Sequence, residues 1–209
     1  MHNLEVKNYL IECWDEVKDV EKAVNALDVF DKQRNYLTKY ILIRCCGTLE
    51  LSYKTLFARY AGHSLCQRTE NYIEDSVIGS SMNPSLYKIK NLANRFDDRW
   101  GKKLEATIEN HKRKSRIRSS INSLVTLRNK FAHGQTAQAS FTNVKSYFVE
   151  ACRVLYILDQ IIGKNTEDPH HNLVCDEFKK MLHSKLVDIL KRNMRYRRIK
   201  DSGFKLVPR

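Results

Sequence analysis

The sequence predicts an all-α protein, folded as an up-and-down helical bundle with extra helices. Apolar residues recur at three- and four-residue spacing through most of the chain, which is the pattern of amphipathic helices. No segment of any length shows the strict apolar–polar alternation of a half-buried strand. The 209 residues include only seven glycines and three prolines, as expected for long helices joined by short turns. A helical bundle is the architecture that fits these observations.

The helical pattern divides into segments that are separated by polar or glycine-containing stretches. The second segment is apolar on most sides, so we predict that it is the central helix. Asn83 followed by Pro84 predicts a helix start, with Asn as the N-cap and Pro in the first turn. Glycines at 101, 134 and 163 mark helix ends. The helices are predicted at about residues 3–27, 34–60, 70–78, 84–100, 102–110, 117–133, 141–162 and 172–192.

The chain is long enough for one well-buried domain, which we place at residues 1–200. Its core is expected at about 34–162, followed by the helix at 172–192 with a basic tail. Residues 203–209 contain LVPR, the thrombin recognition sequence, and are interpreted as an expression-vector remnant. No apolar run has the ~20 residues of a membrane-spanning helix, and the N-terminus lacks a signal-peptide pattern. We therefore expect a cytoplasmic protein that does not enter a membrane.

The formal net charge is +13, which favours binding to polyanions such as nucleic acids. The basic residues are concentrated in two tracts. The first leads into the helix at 117–133, and we predict that it guides RNA phosphates. The second lies near the C-terminus, and a solvent-exposed surface without a ligand explains it as well as binding to a polyanion does. The first tract contains Lys112, Arg113, Lys114, Arg116 and Arg118, and the second contains Lys191, Arg192, Arg195, Arg197, Arg198 and Lys200.

The helix from Ile117 to Gly134, with the sequence IRSSINSLVTLRNKFAHG, holds the candidate site. Arg128 lies on its predicted apolar stripe, and a guanidinium on a buried face needs a partner. Five residues later, His133 stands at the predicted end of the helix. The apolar stripe consists of Ile117, Ile121, Leu124, Val125, Phe131 and Ala132.

Glu50 is the candidate partner for Arg128. It shares a helical stripe with apolar residues of the second helix, and a carboxylate in such a place usually forms an ion pair with a buried cation. Arg44 and Lys54 are closer to it in sequence. An exposed Glu50 is equally compatible with the pattern, so its partner stays open at this point.

Arg128, Asn129 and His133 have the residue types that RNA cleavage without a metal requires. A histidine can move protons near neutral pH, and an arginine can neutralise charge on a phosphate in the transition state. Asn129 is four residues before His133, on the same face, where it could hydrogen-bond the imidazole. His133 lies about 140° around the helix from Arg128. A site completed by a second chain is therefore favoured over one built from a single chain.

No metal or cofactor is predicted. The six cysteines form no CxxC pair and no zinc-finger spacing, so most are interpreted as small core residues in a reducing compartment. The adjacent His170 and His171 could bind a metal adventitiously, but this is the weaker interpretation.

The string LVTLRNKFAHG at residues 124–134 resembles the signature of the HEPN superfamily, in which an Arg and a polar residue precede a His. Two upstream segments, YILIRCCGTLELSYKTLF at 40–57 and NPSLYKIKNLANRF at 83–96, are similar to elements of its RiboL-PSP branch. The resemblance covers about residues 34–162. It implies an all-helical domain that dimerises so that two Arg–His motifs face one cleft.

The resemblance further implies a metal-independent endoribonuclease that leaves a 2′,3′-cyclic phosphate and a 5′-hydroxyl. Arg128 and His133 would be catalytic, with Asn129 as the polar residue of the motif and Glu50 as a supporting residue by our own inference. The implied context is a toxin or antiphage effector, with an antitoxin or other regulatory partner. Some family toxins carry a Tyr two residues after the His that a partner modifies, but this chain has Gln135 there. The alternative is a non-catalytic helical module that binds RNA or a protein through its basic face.

Overall fold

The computed structural model describes residues 1, 3–62, 66–135 and 139–163. Within these ranges all the regular secondary structure is helical and none is a strand, which confirms the predicted all-α class. A five-residue π-helix, Glu74–Ile78, follows α3 directly. The α-helices are α1 Leu4–Ala26, α2 Lys32–Gly62, α3 Gln67–Ile73, α4 Leu86–Phe96, α5 Asp98–Glu109, α6 Lys114–Ala132 and α7 Phe141–Gly163.

The 31-residue helix α2 is the centre of the bundle, as predicted, and packs against α1, α6 and α7. Its fully buried residues include Tyr53 and Phe57, and Phe57 stacks on Phe96 with ring centroids 5.3 Å apart. Helix α7 is the most apolar of the partners and is buried along most of its length. Burial of this apolar surface is the main force that holds the helices together.

Polar side chains define both ends of α1. The Asn3 side chain accepts a hydrogen bond from the Val6 amide at 3.0 Å and caps the start of α1. Arg34 donates to the carbonyl oxygens of Val24 and Leu27, both at 2.9 Å. The Val24 carbonyl also accepts a long bond from the Leu27 amide at 3.4 Å, and Arg34 supplies the remaining donors for these carbonyls at the end of α1 and fixes the turn.

The helix predicted at 84–100 is wrong in two respects. It begins later, because Ser85 rather than Asn83 caps α4. It also ends at Phe96, where Asp97 leaves the helical conformation and accepts a hydrogen bond from the Arg99 amide at 2.8 Å as the N-cap of α5. Gly101, predicted as a stop, lies inside α5. A Cβ there would come within 1.9 Å of the Asn94 side chain, so this glycine permits α4 and α5 to pack closely.

Several predicted features lie outside the described residues. They are the helix at 172–192, the second basic tract, the adjacent histidines at 170 and 171, and the remnant at 203–209. In the ranges that are described, no helix has the length and apolar character needed to cross a bilayer.

Candidate active site at the end of helix α6

Helix α6 is anchored in the core by its first half and leaves the core in its last turn. Ile117, Ile121 and Leu124 are buried, and the Cys46 thiol of α2 donates to the Leu124 carbonyl at 3.7 Å. Phe131, by contrast, is 36% exposed, and the neighbouring Ala132 is exposed as well. The predicted apolar stripe is therefore wrong for these last two residues.

A tight hydrogen-bonded turn presents His133 at the end of α6. The Gly134 amide donates to the Phe131 carbonyl at 3.1 Å, and the Gln135 amide donates to the Lys130 carbonyl at 2.8 Å. This is the Schellman arrangement, which requires a left-handed residue at its centre. Gly134 supplies it with φ of +70°. The turn ends the helix where the sequence predicted and leaves the His133 side chain exposed.

Arg128 lies one turn before this end and is half-buried rather than buried. Its Nη1 donates to the Asn129 Oδ1 at 3.4 Å. No carboxylate among the described residues forms an ion pair with it. The expectation that Arg128 needs a buried acidic partner is therefore wrong, because the side chain is only half-buried.

Glu50 pairs with Lys54, at 2.7 Å between Oε1 and Nζ. The same carboxylate oxygen accepts a hydrogen bond from the Met82 amide at 2.7 Å. Glu50 nonetheless lies in the neighbourhood of Arg128. Burial raises the pKa of Cys46 to about 12, the Arg128 charge acts against this rise, and the Glu50 charge adds to it. Of the partners left open by the sequence, the structure selects Lys54.

The Glu50–Lys54 pair holds the segment between the π-helix and α4 against α2. The Lys54 ammonium also donates to the carbonyl of Ser80 and, at 3.4 Å, to that of Ile78. Its three N–H groups thus have three acceptors although the side chain is buried. The supporting role expected for Glu50 therefore acts on this segment and not on the guanidinium of Arg128.

Asn83 of the same segment reaches the site, which sequence reasoning missed. Its Nδ2 donates to the Asn129 Oδ1 at 3.2 Å, beside the bond from Arg128. Because a guanidinium can only donate, the Asn129 atom that faces it must be the oxygen, and Asn83 must present its amide nitrogen. The Asn129 oxygen therefore orients Arg128. It does not bond the His133 imidazole, contrary to expectation.

The comparison with known protein families identifies the family of the chain. A family model described as RiboL-PSP-HEPN matches residues 8–164, which is well over half of the chain and includes Arg128, Asn129 and His133. This chain belongs to the RiboL-PSP-HEPN family. The match begins earlier than the resemblance at 34–162 and takes in α1 as part of the domain. Neither the curated proteins nor the solved structures contain a significant match.

In this RiboL-PSP-HEPN protein, part of the first basic tract surrounds a buried carboxylate. Glu150 of α7 is 2% exposed and contacts Arg113 at 2.9 Å, Arg116 at 3.4 Å and Arg153 at 3.0 Å. Three guanidiniums around one carboxylate satisfy the buried charge and join the start of α6 to α7. A structural role for Arg113 and Arg116 follows from these contacts.

The rest of the tract is also largely paired. Glu109 of α5 forms ion pairs with Lys114 at 2.7 Å and with Arg118 at 3.1 Å, whereas Lys112 is exposed and has no ion pair among the described residues. The tract stands at the opposite end of α6 from His133, about 25 Å away at the rise of an α-helix. RNA binding by this tract stays a prediction. The ion pairs remove much of the charge on which it was based.

No metal site is evident in the described part of this RiboL-PSP-HEPN domain. No three side chains of His, Cys, Asp or Glu cluster there as ligands for an ion. The chemistry that the site can perform with its own residues is proton transfer by an exposed imidazole and charge stabilisation by a guanidinium.

Proposed function

We propose that this protein is a metal-independent endoribonuclease that acts as a homodimer with a composite active site. One observation supports this most directly: an exposed histidine stands in the turn that ends α6, five residues after an arginine that forms no ion pair with a described carboxylate. A histidine that served only to cap the helix would leave this unneutralised arginine unexplained. Membership in the RiboL-PSP-HEPN family is consistent with this chemistry.

The proposed reaction is attack of a ribose 2′-hydroxyl on the adjacent phosphorus. One imidazole removes the 2′-hydroxyl proton while the new P–O bond forms, and a second imidazole protonates the departing 5′-oxygen as its bond to phosphorus breaks. Arg128 stabilises the additional negative charge on the phosphate oxygens, and Asn129 holds the guanidinium in place. The products are a 2′,3′-cyclic phosphate and a 5′-hydroxyl.

The need for two imidazoles supports a dimer. The described ranges contain one other histidine, His111, whose Nδ1 accepts a hydrogen bond from the Arg113 amide before α6 begins. That position is separated from His133 by about 28 Å, the length of α6, so His111 cannot act on the same phosphate. A second copy of His133 from a partner chain would supply the missing proton donor.

The biological role that fits this activity is a toxin or antiphage effector, held in check by an antitoxin or another regulatory partner. Because Gln135 stands where some family toxins carry a modifiable tyrosine, we do not expect control by modification at that position. RNA is the substrate, and no cofactor is required in this proposal.

The direct experiment is to incubate the purified protein with RNA in excess EDTA. We expect cleavage that EDTA does not inhibit, and products that a 3′-phosphatase alone does not convert but that acid opens to 2′- and 3′-phosphates. Intact RNA under conditions in which the protein is folded would contradict the proposal and favour a non-catalytic RNA- or protein-binding module.

A further inference from the structure

Two exposed aromatic rings and one lysine lie side by side on the outside of the bundle, next to the candidate site. Tyr36 of α2 is 65% exposed and Phe131 of α6 is 36% exposed. The Lys39 ammonium lies between them, 6.0 Å from the centre of the Tyr36 ring and 5.4 Å from that of Phe131. We refer to Tyr36, Lys39 and Phe131 as the aromatic strip.

The aromatic strip leads to Arg128. Phe131 follows Arg128 by three residues, so the two side chains are neighbours on one face of α6. Helices α2 and α6 run antiparallel here, because Lys39 contacts Phe131 whereas Cys46, further along α2, contacts Leu124. A chain that lies along the strip would therefore reach the guanidinium of Arg128 at its end.

The positive charges at this end of α6 differ from those of the first basic tract. Within the described residues, Lys39, Arg128 and Lys130 form no ion pair. By contrast, four of the five residues of the first tract pair with Glu109 or Glu150. The unneutralised charge of α6 is thus concentrated around the aromatic strip.

We propose that the aromatic strip is a binding site for single-stranded RNA. Bases stack on Tyr36 and Phe131, and Lys39 and Lys130 contact the phosphates on either side. Aromatic side chains bordered by cations bind single strands in this way, because every unpaired base offers a flat face for stacking. The bases of a duplex are already stacked on one another and cannot use these rings. The inference rests on the proposed function in one respect, that the phosphate next to the stacked bases is the one placed at Arg128.

A protein partner is the competing occupant, and the composition of the strip disfavours it. The centres of protein interfaces are enriched in aromatic residues but depleted in lysine. In the strip, the lysine lies between the two rings and forms no ion pair with any acid of the described residues. Burial of Lys39 under an apolar partner would leave that charge unpaired, which is unfavourable.

The test is binding of the full chain to a fluorescent RNA of about eight nucleotides in which every 2′-hydroxyl is methylated. This probe cannot be cleaved by 2′-hydroxyl attack, so binding is measured separately from catalysis. Tyr36→Ala should raise the Kd at least about fivefold, whereas Tyr36→Trp should restore it. Lys39→Ala should reduce the slope of log Kd against log salt by about 0.7, the value for one phosphate on a single strand.

Matched controls are available on α4. Tyr87 is 69% exposed, and its neighbour Lys88 is exposed as well, so Tyr87→Ala and Lys88→Ala should leave both the Kd and the salt slope unchanged. The same oligonucleotide annealed to its complement should bind equally well to wild type and to Tyr36→Ala.

Three results would overturn the inference: an unchanged Kd for Tyr36→Ala, an equal loss on single strand and duplex, or conversion of a dimer to monomers by Tyr36→Ala in sedimentation. The last result would assign the strip to a protein interface. If the wild type binds the probe as expected but leaves ordinary RNA intact, the proposed nuclease function fails and the RNA-binding strip stands.

Discussion

Replacing either His133 or Arg128 with alanine is expected to lower the rate of RNA cleavage by about a hundredfold to ten-thousandfold. The first change removes a positioned proton-transfer group, and the second removes a cation at the phosphate, each of which contributes on this scale. Single-turnover cleavage of a defined RNA in EDTA measures the loss. Both variants should fold, because His133 is exposed and the side chain of Arg128 makes one long hydrogen bond to the residues that the structure describes, to Asn129 at 3.4 Å.

Gln135→Ala is the matched control for these two variants. Gln135 is exposed in the same turn as His133, and its backbone amide rather than its side chain holds the turn together. The control should cleave at the wild-type rate and melt at the wild-type temperature. Wild-type rates in His133→Ala and Arg128→Ala would show that the chemistry lies elsewhere. A lower melting temperature with unchanged cleavage in Arg128→Ala would assign that residue a structural role.

The largest effect on stability is expected from Lys54→Met. The change removes the ammonium that neutralises Glu50 and leaves two backbone carbonyls without their donor. Removing one partner of a buried ion pair costs about 3–5 kcal/mol. Denaturant unfolding followed by circular dichroism measures the change in the free energy of unfolding.

Two comparisons identify the source of that loss. Adding Glu50→Gln to Lys54→Met removes the orphaned charge, so the double variant should be more stable than Lys54→Met alone. Lys22→Met breaks the fully exposed pair with Asp19 and should leave stability unchanged. If Lys54→Met and Lys22→Met unfold alike, the buried pair does not hold the segment at 78–82 in place.

The sequence predicted helix ends correctly where residues close together in the sequence determine them. The helix predicted at about 3–27 is α1, Leu4–Ala26, and Gly134 ends α6 as predicted, with the left-handed conformation that the turn requires. The break between α4 and α5 was missed because apolar residues continue at helical spacing from Leu92 through Phe96 to Trp100. Asp97 interrupts this pattern only through its own hydrogen bond to the Arg99 amide, a capping signal that the apolar spacing obscured.

The composition of the candidate site was predictable, but its contacts were not. The sequence places Arg128, Asn129 and His133 within one and a half turns, so a helical pattern was enough to group them. Asn83 contacts Asn129 across 46 positions of sequence, and only the tertiary fold brings the two together. The partner of Glu50 was left open for the same reason, since burial on α2 depends on how the segment at 78–82 covers it.

The exposure of the last turn of α6 was also not predictable from periodicity. Phe131 continues the apolar stripe in the sequence, yet the core ends before it because none of the described helices covers the Phe131 side chain fully. The result is an aromatic ring beside Arg128 and Lys39 at the surface. The feature that appeared to be core in the sequence thereby becomes part of the proposed binding surface.

The composite site is tested most directly by a heterodimer of one wild-type chain and one His133→Ala chain, carrying different tags and purified through both. If the two imidazoles act on one phosphate, the heterodimer should cleave RNA at nearly the low rate of the His133→Ala homodimer. A rate of half the wild-type value would show that each chain holds an independent site, and failure to recover any heterodimer would contradict the dimer itself.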